Sequence, residues 1–450
     1  MAKFNLYTAG NTSQRALIEL RDHRIAFPGV ACDEPLLRGC NQRDWLEQLA
    51  SLGIRHLIVP LNGAHEDACL FARRHPAEPA SASSSMQPVL YDLEHRDEGV
   101  FVRLQFLIEA AEQIGILVGL SLFDATSQSG PLRREANEQA VALEDMLTVR
   151  ARTRKGTTVI RARNLKREKV LGAMNAAVDW VGPVLRGHRG VWASIFRGKL
   201  LGAPDGALES DLIRRMAGQL RRADDAQDKP AGPWIVAPPQ SSLHAEIGSQ
   251  CAPFVLTDAP ISHSSAGYDT APEQRTGEDR RPAVCWLAAR RDLTAVRGTH
   301  RSILWQTVMQ GAWPVVSFRR RELEEERGWK DLAQVATFGR HWLSHGYVRP
   351  CPEVLQHMAA ARADGKVFAA TDGSGRYFAF FRSSVRKGLR LMVLPGTYRY
   401  YWFDVATGRG LDYGDGIEGG RDCQVPHPRS TRQTMLILEQ EELTDALTSW

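Results

Sequence analysis

Short apolar runs alternate with segments of helical period along most of this chain. Asn41 to Leu52 sets Trp45, Leu46, Leu49 and Leu52 on one helical face, with Asn41 as N-cap and Gly53 as stop. The apolar run Arg55 to Leu61 follows at once, which is the order of a helix feeding a buried parallel strand. The rhythm continues with a helix over Phe101 to Ile114 and a strand over Ile116 to Phe123. A helix over Asn164 to Val181 then leads into a strand over Gly190 to Phe196. Leu208 to Leu220 is helical, followed by strands at Pro233 to Ala237, Phe254 to Thr257 and Ala283 to Leu287. A helix over Thr299 to Met309 precedes the last run, Pro314 to Phe318. Strand one ends a segment in which Ala16 to Leu20 and Arg24 to Phe27 flank an Arg21-Asp22-His23 turn and run into Pro28 to Glu34. Buried runs interleaved with helices over about 330 residues predict an α/β fold, a (β/α)8 TIM barrel. A doubly wound open sheet is the alternative, but no Gly-x-Gly-x-x-Gly or phosphate-loop Lys follows strand one.

From Pro352 the pattern changes. Strand-like runs at Lys366 to Ala370, Tyr377 to Phe381, Leu389 to Leu394, Thr397 to Phe403 and Met435 to Leu438 are separated by turn residues such as Asp372-Gly373-Ser374-Gly375 and Pro395-Gly396. Such spacing predicts a small antiparallel β-sandwich. The expected division is a barrel over 1–351 and a sandwich over 352–450, and a chain of 450 residues is long enough for both. Two long polar loops, 62–99 and 258–281, follow strands two and six and would overhang the C-terminal face, where barrels build their sites.

Composition adds mainly exclusions. Hydrophobic residues at 43% and charged residues at 24% are ordinary globular usage. No run approaches the roughly 18 apolar residues of a membrane span, and Met1 to Leu6 does not open a secretory signal, so a cytoplasmic location is expected. Seven scattered cysteines without a Cys-x-x-Cys pair argue for packed thiols rather than disulfides or zinc. No His-x-x-x-His or His-Glu-x-x-His spacing involves His56, His244 or His263, so no metal and no cofactor is expected. No Gly-x-Ser-x-Gly elbow supports a serine nucleophile.

The net charge of +5 is mild, but its distribution is not. Arg150, Arg152, Arg154, Lys155, Arg161, Arg163, Lys166, Arg167 and Lys169 are opposed over that run only by Glu168. Arg197 and Lys199 follow strand four, Arg290 and Arg291 strand seven, and Arg319 to Arg321 strand eight. In a barrel these converge on one face, which would attract a polyanion. Local pairing, as of Arg320 and Arg321 with Glu324 and Glu325, is the competing explanation.

Arg43-Asp44-Trp45-Leu46 to Asn62, and Tyr91-Asp92-Leu93 followed by Phe101 to Phe123, resemble the early units of retaining (β/α)8 glycoside hydrolases. Leu394 to Tyr398, Tyr401 to Asp404 and Thr407-Gly408 are similar to a collagen-binding-domain-type module that follows the barrel in one bacterial glycosidase group. The resemblance implies a barrel plus sandwich and a carbohydrate substrate. It also implies an Asn-Glu pair ending strand four and a nucleophilic Glu ending strand seven. Here strand four runs into Arg197-Gly198 and strand seven into Leu287 to Arg291, without a carboxylate. Neither Gly nor Arg can exchange the proton that this chemistry requires.

If the chain hydrolyses glycosides, carboxylates elsewhere must serve. Asp124 past strand three and Asp258 past strand six are best placed to divide acid and base roles, with Asp33 and Glu34 next. Acidic residues there also cap helices or hold loops. Trp192, Trp286, Trp234 and Trp313, in or beside barrel strands, are candidates to stack on sugar rings or to fill the core. Tyr398, Tyr400, Tyr401 and Trp402 have the same two options in the sandwich, where adjacent residues must split between two faces. Arg197, Lys199, His263, Trp286, Arg290 and Trp192 complete the expected substrate-binding set. Three functions remain open: an active glycosidase with rearranged carboxylates, a glycan-binding barrel that has lost hydrolysis, and nucleic-acid binding through the basic face; for the first two the basic face suggests an acidic polysaccharide as one option. The third lacks any recognisable nucleic-acid module.

Overall fold

The computed structural model describes residues 29–32, 34–61, 66–74, 90–124, 149–153, 156–160, 167–188, 191–197, 215–216, 218, 234–237, 254–258, 283–287, 299–317, 327–342, 348–358, 367–383, 389–428 and 433–441. In chain order the first elements are β1 (Gly29–Ala31), α1 (Gln42–Ser51), β2 (His56–Pro60), β3 (Phe71–Arg74), β4 (Leu90–Arg96), α2 (Glu98–Ile114) and β5 (Leu117–Asp124). Then come β6 (Val149–Thr153), β7 (Gly156–Ile160), α3 (Arg167–Gly187), β8 (Val191–Arg197), β9 (Trp234–Ala237), β10 (Phe254–Asp258) and β11 (Ala283–Leu287). The segment closes with α4 (Thr299–Met309), β12 (Ala312–Ser317) and α5 (Arg327–Trp342).

β1, β2, β5, β8, β9, β10, β11 and β12 form a closed barrel of parallel strands, sealed where β1 pairs with both β12 and β2. The open-sheet alternative is thereby excluded. The periodic segments fall on the observed elements to within a few residues. The strands expected over 16–20 and 24–27 lie outside the described residues, as does most of the helix expected over 208–220. α5 was not expected. Nor were two hairpins, β3 with β4 and β6 with β7, which stand where the sequence suggested only polar loop.

Local chemistry explains the helix ends. Asp97 caps α2 by accepting from Val100 N at 3.1 Å, and Gly115 ends it at φ 78°, a left-handed conformation that glycine adopts without strain. Val100, Leu104, Leu107, Ile108 and Ala111 make its buried stripe. α4 is different, because Ser302, Gln306 and Thr307 are buried along with Ile303, Leu304, Trp305 and Val308. A helix buried on all sides needs a layer over each face. Here the barrel covers one side and the C-terminal sheet the other.

That sheet comprises β13 (Arg349–Pro350), β14 (Val367–Thr371), β15 (Arg376–Phe381), β17 (Thr397–Asp404), β18 (Gly410–Glu418) and β20 (Thr434–Gln440), in the order β13-β14-β15-β20-β17-β18. A second sheet pairs β16 (Leu389–Leu391) with β19 (Cys423–Val425). The strict alternation of β17 sorts its aromatics. Tyr398, Tyr400 and Trp402 are buried between the two sheets, and Trp402 Nε1 donates to Pro426 O at 2.8 Å. Tyr401 and Phe403 point the other way, toward α4 and α5, where Tyr401 meets Trp342 and Phe403 meets Trp305. Three of the four aromatics considered for stacking are therefore core, and the fourth packs on the barrel. Cys32, Cys69, Cys351 and Cys423 are buried.

Candidate functional site

The barrel mouth is built by the C-terminal ends of its strands, and their register decides which positions share its lumen. His56 on β2 and Trp313 on β12 flank β1, yet their rings stand only 6.3 Å apart. Strands two places apart on a sheet are separated by roughly 9.6 Å. Rings that converge to less than this lie on the concave side. Gly29, in register with His56 and Val315, leaves the room between them: a Cβ there would stand 3.3 Å from His56 Cβ and 3.1 Å from Val315 Cγ2.

The inner layer defined by these residues can be followed round the barrel by pairing. It includes positions 58 and 60 of β2, 119 and 121 of β5, 193 and 195 of β8, 256 and 258 of β10, and 284 and 286 of β11. Asp258 and Trp286 are in register with each other in this layer. Asp124 would fall on the outer layer by simple alternation. A register shift between Ser121 and Phe123 inserts one residue into β5, so Asp124 stands opposite Arg197. Arg197 follows Ile195 by two, in the inner layer. A bulge beside a site commonly re-aims a terminal residue in this way.

By backbone register, positions 124, 197, 258 and 286 fall in this layer at the C-terminal ends of β5, β8, β10 and β11. Trp192 is not among them. It is the second residue of β8, beside a second register shift, at the opposite end of the barrel. Trp234, first in β9, and Trp313, second in β12, are at that far end too. Lys199, His263 and Arg290 lie outside the described residues, as do Asp33, His244 and Arg319 to Arg321. The strand ends also bear on the acid pair of the retaining enzymes. Strand four, β8, ends at Arg197 and strand seven, β11, at Leu287.

Below the mouth, Ser121 is fully buried and its Oγ has no hydrogen-bond partner among the described residues. Deeper still, burial holds the His56 imidazole neutral, its pKa lowered to about 3. Among the described residues no group of three or more His, Cys, Asp or Glu is gathered to hold a metal ion. No described helix is long and apolar enough to cross a membrane.

One rim residue carried no sequence signal. Arg103, half-buried on α2, donates from Nε to Leu36 O at 2.7 Å and from Nη2 to Asp67 O at 2.9 Å. Those carbonyls belong to the loops that follow β1 and β2. Gln42 joins the network, donating to Pro35 O at 2.7 Å and Arg103 O at 3.1 Å. This side of the mouth is therefore framed by backbone tied to helices. Farther out, the β3–β4 hairpin is anchored by Phe71, whose ring stands edge-on to Trp180 of α3 at 5.7 Å.

No family model and no curated protein matches the sequence. Solved structures do. A glycoside hydrolase family 5 protein from Bacteroides vulgatus superposes with a TM-score of 0.58 at 11% identity, over 92% of this chain and 90% of its own. A second glycoside hydrolase-type protein from that organism gives 0.54 at 11% identity, over 92% and 78%. At such identity the likeness is one of fold, and it extends over barrel and C-terminal sheets together.

Proposed function

We propose that this chain is a carbohydrate-active protein of glycoside hydrolase type, with Asp124 and Asp258 as its acid–base pair. The observation that carries this reading is that both carboxylate-bearing positions close the inner layer of the barrel at the C-terminal end. Only β8 and β9 stand between their strands, so the two positions look at each other across most of the lumen. Eight strands about 4.8 Å apart and tilted about 36° make a ring roughly 15 Å across. Positions so placed are about 14 Å apart at Cα, a span that two inward-facing Asp residues would narrow to roughly 9 Å between carboxyls. That lies in the range of about 6.5–9.5 Å that admits a water beside the sugar, which is the inverting arrangement.

The neighbours divide the roles. With Arg197 in register beside it, Asp124 is assigned the base that activates water. With Trp286 in register beside it, Asp258 is assigned the acid that protonates the leaving oxygen. Trp286 also offers an indole face for a pyranose ring.

The test is release of reducing ends from a panel of neutral and uronate-containing polysaccharides by wild type, Asp124→Asn and Asp258→Asn. Both variants should lose about 10²-fold or more of the activity, and proton NMR should show the first product with inverted anomeric configuration. A retained anomer, or variants as active as wild type, would remove the assignment. The ends of β8 and β11 favour a second reading. Arg197 and Leu287 stand where retaining enzymes carry carboxylates, so a barrel that binds glycan without cleaving it would show intact binding and no release from any substrate.

A further inference from the structure

The large C-terminal sheet is covered unevenly, and its edge holds an aromatic ring in water. α5 lies along β17: Gln334 Nε2 donates to Thr407 O at 3.5 Å, Phe338 meets Phe403 at 6.1 Å and Trp342 meets Tyr401 at 5.1 Å. β18 ends the sheet and pairs with β17. Its Tyr413 stands in register with Tyr401, and cross-strand partners share a face. Tyr413 is therefore on the side that α5 occupies, yet it is 80% exposed, more than any other large apolar residue among those described. The helix covers the neighbouring strand and leaves this ring in solvent. A lone exposed apolar residue needs no explanation. This one continues inward into two half-buried rings, Tyr401 and Trp342. Residues two apart repeat a face, so exposed Asp415 and half-buried Arg399 flank the pair of tyrosines on the same side.

The size and charge of this ledge select its occupant. A stable protein contact covers roughly 800 Å² on each partner, far more than one phenol and the edges of two half-covered rings present. A compact apolar ligand needs a concave pocket, and the outermost strand of a sheet is open on one side. Nucleic acids and acidic glycans carry negative charge at each unit. β18 bears Asp412, Asp415 and Glu418 and no Lys or Arg, so it repels either polymer. A neutral glycan meets every condition. The C–H face of a pyranose covers an aromatic ring at low entropic cost. Its hydroxyls donate to a carboxylate such as Asp415 and accept from a guanidinium such as Arg399.

We propose that Tyr413 is the stacking platform of a second glycan site, on the α5 side of the large C-terminal sheet, and that this site takes chains of neutral pyranose sugars. None of its residues belongs to a barrel strand, so it does not rest on the acid–base pair or on anything bound at the mouth. It extends the carbohydrate-active reading from the barrel to the C-terminal sheets. A polymer gripped at one point stays near the whole molecule, which raises the concentration of sugar that the mouth meets.

The experiment is affinity electrophoresis through gels that contain hydroxyethylcellulose, glucomannan, laminarin or polygalacturonate. It compares wild type with Tyr413→Ala, Tyr413→Leu and Tyr413→Phe. At least one of the neutral polymers should retard wild type. Tyr413→Ala and Tyr413→Leu should bind that polymer about fivefold or more weakly, because neither side chain offers an aromatic plane, and Tyr413→Phe should stay within about twofold of wild type. Migration through polygalacturonate should not differ among the four proteins. The variants should melt with wild type, since an exposed ring contributes little to stability. Should Tyr413→Ala melt lower, the comparison of Tyr413→Leu with Tyr413→Phe carries the test alone. Tyr413→Leu that binds as wild type does overturns the proposal and assigns the retardation to the barrel. Wild type that no neutral polymer retards also overturns it, and release of reducing ends by the same protein would then still sustain the barrel reading. A dimer in sedimentation that Tyr413→Ala converts to monomer would overturn it by making the ledge a contact between two copies of the chain.

Discussion

His56 shows how much one residue of the barrel floor constrains. Its ring lies against Trp313 in the lumen, wholly buried and held neutral with a pKa near 3. In the unfolded chain an imidazole takes up its proton near pH 6.5. Below that pH the unfolded state binds a proton that the folded state refuses, so stability falls as pH drops from about 6.5 toward 3. Above about 6.5 both states are neutral and His56 contributes no pH dependence. His56→Gln should therefore melt with a shallower acid dependence than wild type, measured by calorimetry from pH 7 down to pH 4. Parallel slopes would show that burial of His56 does not drive the effect. The same residue marks a limit of sequence reading. The run Arg55 to Leu61 was legible as a strand, but whether its histidine faced lumen or helices was not. That depended on Gly29, on the neighbouring strand, and on a tryptophan more than 250 residues away in the chain. The four strand tryptophans failed to sort for the same reason. Trp286 lies near the mouth and Trp192, Trp234 and Trp313 lie at the floor, a difference of height set by register and not by composition.

At the scale of elements, periodicity identified the barrel strands and most helices, because each is an amphipathic or fully apolar segment with its own signal. It missed what arises only from tertiary pairing. β3, β4, β6 and β7 are short and polar, and they exist as strands because each finds one partner. The bulge in β5 is likewise invisible in Leu120 to Asp124, yet it carries Asp124 to the layer of Arg197. The loops after β1 and β2 are held from α2 by Arg103, through two hydrogen bonds from a charged donor to backbone carbonyls. Bonds of this kind contribute about 1.5–3 kcal/mol each, and their loss leaves part-buried carbonyls without that donor. Arg103→Met keeps the stem and removes the fork. It should cost about 2–4 kcal/mol in urea unfolding and weaken glycan binding by loosening this side of the rim. A variant within about 0.5 kcal/mol of wild type would mean the loops hold themselves.

Across the whole molecule, the barrel and one face of the large C-terminal sheet share a hydrophobic cluster, and a second cluster lies between the two C-terminal sheets. The cluster that contains Val30, Leu57 and Leu120 continues through Trp305 and Phe338 to Phe378, Phe380 and Ile437. Trp305 is its pivot: its ring meets Phe338 at 5.1 Å, Phe403 at 6.0 Å and Phe380 at 6.3 Å. Gln433 Nε2 donates to Ser302 Oγ at 2.6 Å across the same junction. Sequence alone pointed to two units in series and gave no sign of this coupling. The face that Tyr401 and Phe403 share reads as the outside of a sandwich until α4 and α5 are laid over it. The consequence concerns cooperativity. Units joined through a large apolar contact unfold together, whereas units joined by a polar contact unfold separately. Wild type should therefore give one calorimetric transition. Trp305→Ala removes a fully buried indole and should cost about 3–5 kcal/mol. Because the loss falls on the junction, the variant should also split its melting into two transitions, the first exposing Phe380 and Phe403 to a dye that binds apolar surface. A single transition shifted to lower temperature would locate the cost within the barrel and show that the sheets are held there by the remaining contacts. Two transitions in wild type itself would show that the shared cluster does not bind the two parts into one folding unit.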